Sequence, residues 1–113
     1  MALIAPSTMS YTTAAVPSLT AAAASDTFAA PGVTGQMFAV YRNTNASTRT
    51  ITVSLSGLSD DFGRALVDIA YTLGATTGEL WIPLHPRWQN STGVITITTS
   101  AQTNVTVGCV RIA

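Results

Sequence analysis

Apolar and polar side chains alternate along most of this chain. The alternation is clearest in residues 93–112, where Ile95 and Ile97 are flanked by threonines and Val105 and Val107 continue the pattern after a polar link. Successive side chains of a strand point to opposite faces, so each half of the segment presents an apolar face and a threonine-rich face. The pattern predicts two strands joined as a closing β-hairpin.

The same alternation predicts further strands upstream. Residues 35–42 and 48–56 are predicted to form a second hairpin across a polar, asparagine-rich turn. Residues 66–72 form another strand in this interpretation, and residues 79–84 form one that its proline ends, because proline cannot donate to a ladder. Residues 85–90 are predicted to make a single helical turn.

The N-terminal segment, residues 1–26, is rich in Ala, Ser, Thr and Pro. It is either an extended arm that orders on contact with a partner, or a first edge strand over residues 11–16 followed by a loop. Residues 18–25 also suit a helical turn, because alanine is the best helix former. The predicted fold is all-β: an antiparallel β-sandwich or barrel of about 6–8 short strands in residues 27–113, preceded by this N-terminal arm or edge strand.

Charge is scarce in this chain of 113 residues. Charged side chains make up 9% of it and the formal net charge is zero, whereas about 25% is usual for a soluble domain. A free monomer with so few charges is prone to self-association. The composition therefore favours a surface largely covered by neighbours over a weakly charged free domain.

The arginines are scattered singly and there is no lysine. Nucleic-acid binding and electrostatic attachment to a membrane surface both call for clustered cations, so we expect neither. No apolar run has the length of a membrane helix, and the first residues lack a signal-peptide pattern. We expect a chain that is made, and stays reduced, in a cytoplasm.

Groups that carry catalysis or bind metals are few. The chain has one histidine, His85, and one cysteine, Cys109, far apart in sequence. A structural zinc site takes three or four such ligands, and glycine-rich phosphate-binding loops are absent. We therefore expect no enzyme activity, no cofactor and no metal site, and we expect Cys109 to be a small buried apolar residue.

One cluster of recognition-type side chains stands out: Trp81, His85, Arg87 and Trp88. Tryptophan and arginine are enriched at interface hot spots. We expect Trp81 to pack in the core. Trp88 either caps one end of the sandwich or, with Arg87, contacts a partner. As a third option, Trp88 is a platform for a sugar ring beside the two carboxamides that follow it.

The end of the chain presents a conflict. Uninterrupted alternation places Arg111 on the inner face and Val110 and Ile112 on the outer face, and a buried, unpaired arginine is costly. Either a bulge at Gly108 changes the register, or a second subunit covers Val110 and Ile112; we favour the second. These two residues join Arg87, Trp88 and, in the N-terminal segment, Tyr11 as the candidate partner-contacting residues.

Five features follow one another in a particular order along the chain. An alanine-rich segment leads to the sequence Asp-Thr-Phe (26–28), and a strand of aromatic and β-branched residues follows (37–41). Next come a Thr- and Val-rich strand (50–55), an apolar strand that ends in proline (74–83), and a final Val-Arg-aliphatic sequence (110–112). This order, over about four-fifths of the chain, resembles the small decoration proteins of tailed-phage heads.

The resemblance implies a β-sandwich or barrel that binds the outer capsid lattice, often as trimers, and stabilises the shell against internal DNA pressure. It implies the major capsid protein and further copies of this chain as partners, and a location on the outer capsid surface of the virion after synthesis in the host bacterial cytoplasm. Two alternatives stay open: a carbohydrate- or receptor-binding sandwich on a virion with Trp88 as its platform, and a structural protein of a tail or connector.

Overall fold

The computed structural model describes residues 2–4, 6–9, 19–29, 36–55, 57–59, 62–90 and 93–112. Their regular structure is ten strands and one 3₁₀ turn: β1 (Ala2–Ile4), β2 (Pro6–Met9), β3 (Thr20–Ala21), β4 (Ser25–Ala29), β5 (Gln36–Asn43), β6 (Arg49–Ser54), β7 (Ile69–Leu73), β8 (Gly78–Pro83), the turn (Pro86–Trp88), β9 (Val94–Thr99) and β10 (Val105–Ile112). The predicted all-β class is confirmed, with more strands than expected.

The strands form two sheets that pack face to face. The first sheet has the order β1-β4-β9-β6-β7, and the second has the order β2-β10-β5-β8, with β3 also paired to β10. Most neighbours are antiparallel, as predicted. The pairs β1·β4 and β2·β10 are parallel, so the N-terminal strands make both sheets mixed.

The antiparallel pairs are nested. β3 pairs with β10, β4 with β9, β5 with β8 and β6 with β7, so one long two-stranded ribbon runs from the chain's ends to the β6–β7 connection. Two further pairings, β5·β10 and β6·β9, join the ribbon to itself where it wraps. A wrapped ribbon of eight strands in two sheets is the jelly-roll topology, to which β1 and β2 add one strand per sheet.

Both predicted hairpins are wrong. β9 and β10 lie in different sheets, and so do β5 and β6. The alternation correctly identified which side chains face the core, but it carries no information about which strand lies alongside. The paired apolar faces meet across the sandwich instead of side by side in one sheet.

The core lies between the sheets and is built from the alternating apolar positions. Its fully buried members include Ile51, Val53, Ile95 and Ile97 from the first sheet and Ala39, Tyr41, Ile82, Val105, Val107 and Cys109 from the second. The expectation for Cys109 is confirmed, and burial raises the pKa of its thiol to about 11.

The N-terminal segment supplies an edge strand to each sheet through β1 and β2. Residues 20–21 form β3, so the helical turn considered for residues 18–25 is wrong for the described part of that segment. Tyr11 and the strand predicted for residues 11–16 lie outside the described residues. The strand predicted from residue 66 begins only at Ile69, and Val67 before it is 80% exposed.

The last strand, β10, keeps its register to the end. Eight consecutive residues of β10 face eight of β5 one to one, so Gly108 marks no bulge. Arg111 pairs with Met37 but is exposed, which removes the cost of a buried charge. Val110, opposite Phe38, is 1% exposed in the single chain, so this chain itself already covers the Val110 side chain.

Trp81 is not in the core, contrary to expectation. It is 44% exposed on the outer face of the second sheet, where its ring meets that of Phe38 edge-on with 6.2 Å between centroids. The next residue, Ile82, takes the inward position in β8. Beside this aromatic pair, Arg42 and Glu79 form a cross-strand ion pair, and the Arg42 hydrogen bond lowers the pKa of Glu79.

One buried amide joins two loops at an end of the sandwich. The Asn43 Nδ2 atom donates to the backbone oxygens of Ser47 at 2.9 Å and Gly74 at 3.1 Å, and its Oδ1 accepts from the Asn45 N–H at 3.0 Å. Asn43 is 1% exposed. Its side chain therefore ties the β5–β6 turn to the β7–β8 turn with three hydrogen bonds in a site with little access to water.

We predict that Asn43→Ala lowers the free energy of unfolding by about 2–4 kcal/mol, because three backbone groups lose a buried partner. Thr48→Ala, at an exposed position of the same β5–β6 turn, is the control and changes it by at most about 0.5 kcal/mol. Urea unfolding followed by tryptophan fluorescence measures both. Equal effects of the two substitutions would show that the amide does not organise this end.

Candidate functional site

A cleft of about 500 Å³ opens at the end of the sandwich where β5 begins and β8 ends. The 3₁₀ turn, Pro86–Trp88, forms one of its sides. The predicted helical turn at residues 85–90 is thus confirmed as a 3₁₀ turn over Pro86–Trp88, and it borders this cleft. Small-ligand sites have volumes of about 300–1,000 Å³, so the cleft is of the right size to be a binding site.

Local sequence fixes the turn beside the cleft. Proline at position 83 ends the β8 ladder, and the next residue, Leu84, is buried and donates its N–H to the Met37 carbonyl at 2.8 Å. Pro86 opens the turn, where its missing N–H costs nothing. The Trp88 N–H then donates to the His85 carbonyl at 3.0 Å, which closes the turn.

Aromatic rings form much of the cleft wall. Trp88 is half-buried, packs against the core cluster and lies 6.1 Å from the His85 ring, centroid to centroid. Tyr71, from β7 of the opposite sheet, is also half-buried and packs against the core. Buried Met37 adds an apolar surface. Because the core holds Trp88 on one side, its ring has a defined position in the cleft.

Two polar side chains, Gln36 and His85, lie at the exposed margin of the cleft. The His85 Nδ1 atom accepts a hydrogen bond from the Arg87 N–H at 3.1 Å. In the neutral imidazole this leaves the proton on Nε2, which is then a hydrogen-bond donor. Among the described residues that line the cleft, none carries a formal charge at neutral pH.

A second cleft of about 460 Å³ lies on the other side of His85 and Pro86. It is lined by Arg87, Gln89 and Ser59 as well. The sequence cluster around Trp88 is therefore divided by the His85–Pro86 ridge. The described residues that line the first cleft are largely apolar and uncharged, and those that line the second include Arg87.

The structure brings together only part of the predicted partner-contacting set. Arg87 and Trp88 lie on the turn, and Ile112 pairs with Gln36, so the end of β10 reaches the margin of the first cleft. Val110 is buried on the outer face of the second sheet. Tyr11 lies outside the described residues.

A small polar cluster lies inside the sandwich. The Asp26 Oδ1, Tyr41 hydroxyl and Thr99 Oγ1 atoms are buried, and none has a hydrogen bond of good geometry to another described residue, although the Thr99 hydroxyl lies close enough to that of Tyr41 to influence it. Burial raises the pKa of Asp26. The Ala23 N–H donates to the other carboxyl oxygen, Oδ2, at 3.2 Å, and this hydrogen bond lowers the pKa by a smaller amount. Burial and, next, the Asp26 charge raise the pKa of Tyr41. A neutral Asp26 therefore fits this interior better than a carboxylate.

The cysteine and the histidine of the chain lie in different surroundings. Cys109 is fully buried and its raised pKa keeps the thiol protonated, whereas a nucleophilic cysteine needs a lowered one. His85 is exposed on the turn. Within the described ranges no three or more His, Cys, Asp or Glu residues are grouped to hold a metal ion. Those same ranges contain no helix long and apolar enough to cross a membrane.

A scan against protein-family models finds no match, and searches of curated proteins and of solved structures also find none. Function therefore has to be inferred from the fold and surface of this chain.

The most exposed large apolar side chains of the described residues are not among the predicted partner-contacting residues. Phe62 is 83% exposed and Val67 80%, both in the β6–β7 connection, and Leu3 on β1 is 66% exposed. The available signal was the presence of Phe62 inside a loop of glycines and aspartates. A phenylalanine there has no alternating neighbours that place it in a core.

We predict that stability depends on the protonation of Asp26. The pKa of Asp26 in the folded state is above its ordinary value of 3.8. Protonation of Asp26 therefore contributes its full stabilisation below pH 3.8, and this contribution is lost as the pH rises through the folded-state pKa. Wild type should therefore lose stability relative to Asp26→Asn across this window. Urea unfolding at several pH values measures the difference, and a pH-independent or opposite difference would contradict the prediction.

Proposed function

We propose that this chain is a non-enzymatic structural protein of a virion: a decoration or cement protein that binds the outer surface of a phage head and stabilises the shell. The observation that carries the proposal is the exposure of large apolar side chains on a surface with very little charge. We further propose that it binds the major capsid protein as a trimer, in contact with neither nucleic acid nor membrane.

Two backbone contacts cross the described part of the β6–β7 connection, on either side of Phe62. Ser59 and Ala65 form an isolated bridge across it, and the Leu66 N–H donates to the Leu58 carbonyl at 2.9 Å. These contacts bring together the chain segments that flank Phe62, within this chain alone. A preformed contact of this kind loses little conformational freedom on binding, which favours affinity.

The chemistry around Phe62 matches that of interface anchors. The Arg64 guanidinium carbon lies 5.4 Å from the centre of the Phe62 ring, and aromatic and arginine side chains are enriched at hot spots. Covering an exposed phenylalanine contributes roughly 1.5–3 kcal/mol. A protein surface that buries Phe62 and Val67 gains this free energy at each copy.

Leu3 provides a second exposed apolar point. It lies on β1, the outermost strand of the first sheet, and is 66% exposed. Contacts at both the loop and this edge allow one copy to connect two neighbouring capsid subunits. Many modest contacts of this kind add by multivalency, which is the physical basis of a cement.

The topology is compatible with the proposal but does not decide it. Jelly rolls form viral capsid domains and also lectin domains, and a fold alone does not determine function. A tail or connector protein would use a similar weakly charged, strand-rich surface. The position of the chain in a particle distinguishes head from tail.

We predict that purified chain cosediments with phage heads that were assembled without it, and that it raises the temperature at which those heads release DNA. Phe62→Ser should weaken binding by about 10–100-fold, because the contact loses the burial of one aromatic side chain. The matched control is Ala70→Ser, at an exposed position of β7, which should bind like wild type.

Absence of wild-type binding to these heads would overturn the proposed function. If Phe62→Ser binds the heads as tightly as wild type, the chain is still a head protein, but its contact with the capsid lies away from the β6–β7 loop.

A further inference from the structure

We propose that the cleft between β5, β8 and the 3₁₀ turn binds a neutral sugar ring, which stacks on Trp88 and forms hydrogen bonds with Gln36 and His85. This site goes beyond a capsid-binding role. The cleft and the exposed Phe62 loop involve different residues, so the two proposals can fail separately.

The position of Trp88 provides the stacking surface. Its ring packs against the core on one side and lines the cleft with Tyr71 from the opposite sheet. A pyranose ring presents a patch of C–H groups on one face and hydroxyl groups around its margin. A rigid indole covers the C–H patch at low entropic cost, because it is already held in place.

The polar groups of the cleft complement hydroxyl groups. His85 has its Nδ1 atom occupied by the Arg87 N–H, so its Nε2–H is a donor. The Gln36 amide both donates and accepts, as sugar hydroxyls do. These two side chains are exposed at the margin of the cleft, whereas Met37 and Leu84 are buried apolar residues of its wall. An apolar site with a few polar groups is the usual design for a small ligand.

The charge distribution selects a neutral ligand. The described residues lining this cleft include none with a formal charge, whereas Arg87 lines the second cleft across the His85–Pro86 ridge. A sialylated or sulfated sugar finds no cation among the described residues of the first cleft, so its charge favours binding elsewhere. A neutral sugar ring gains nothing from a cation, so it binds where Trp88 provides the stacking surface.

The shape favours a compact ligand over a peptide. Proline-rich peptides also dock on aromatic surfaces, but they are extended, at about 3.1 Å per residue, and follow long grooves. Here the His85–Pro86 ridge separates the first cleft from the second, and the first measures about 500 Å³. A single sugar ring, alone or at the end of a glycan, fits this geometry.

The test uses the full chain and a panel of neutral, sialylated and sulfated oligosaccharides, with a proline-rich peptide for comparison. Trp81→Phe leaves Trp88 as the only tryptophan, so its fluorescence reports on the cleft directly. Binding of a neutral sugar at up to about 10 mM, with NMR shift changes at Gln36, Tyr71 and Trp88, is the expected result.

Substitutions separate the site from its surroundings. Trp88→Ala should lower the affinity for the sugar at least tenfold, and Gln36→Ala several-fold, while Trp81→Phe keeps the affinity within twofold of wild type. Because Trp88 packs against the core, NMR must show that Trp88→Ala is folded. Gln36 is exposed, so Gln36→Ala tests the site even if Trp88→Ala unfolds.

Three outcomes would overturn the proposal. The first is that wild type binds no neutral sugar of the panel. The second is that it binds only anionic sugars and that Arg87→Ala abolishes this binding, which places the ligand in the second cleft. The third is that the peptide binds at Trp88 and the sugars do not.

Discussion

The antiparallel pairing of β5 with β10 is the interaction on which the rest of the structure depends. Eight consecutive residue pairs join residues 36–43 to residues 105–112. β10 carries β2 and β3 on its other side and β5 carries β8, so the second sheet assembles around this pair. The two strands lie far apart in sequence, so their pairing closes a long loop at an entropic cost that burial of the core has to offset.

Sequence pattern predicted the faces of the strands but not their neighbours. The buried side chains of β6 and β9 fall on the alternating positions that the sequence shows, because a two-residue period directly reports which face is covered. The consecutive strands β5 and β6, like β9 and β10, instead lie in opposite sheets, since wrapping of the whole ribbon decides the pairing. β1 and β2 are short and pair in parallel with distant strands, and no local pattern specifies such contacts.

Only one part of the candidate site, the turn at residues 85–90, could be predicted from the sequence. Proline, histidine and tryptophan close together in residues 85–90 indicated a turn with recognition chemistry, and the structure places Trp88 in a cleft. Gln36 and Tyr71 reach that cleft from β5 and β7, which the wrapped topology alone brings together. Trp81 was placed wrongly because two apolar neighbours, Trp81 and Ile82, compete for one inward position, and the larger side chain took the outer face.

The exposed apolar side chains and the low charge have a common physical explanation if this jelly roll completes its burial on a larger assembly. Phe62 and Leu3 then correspond to contacts with neighbouring subunits. The most direct test is a cryo-EM reconstruction of particles from cells in which this chain is made. The proposed cement role predicts symmetric copies on the outer head shell, with the β6–β7 loop facing the capsid. Particles whose shells lack the chain, or that carry it only in the tail, would contradict it.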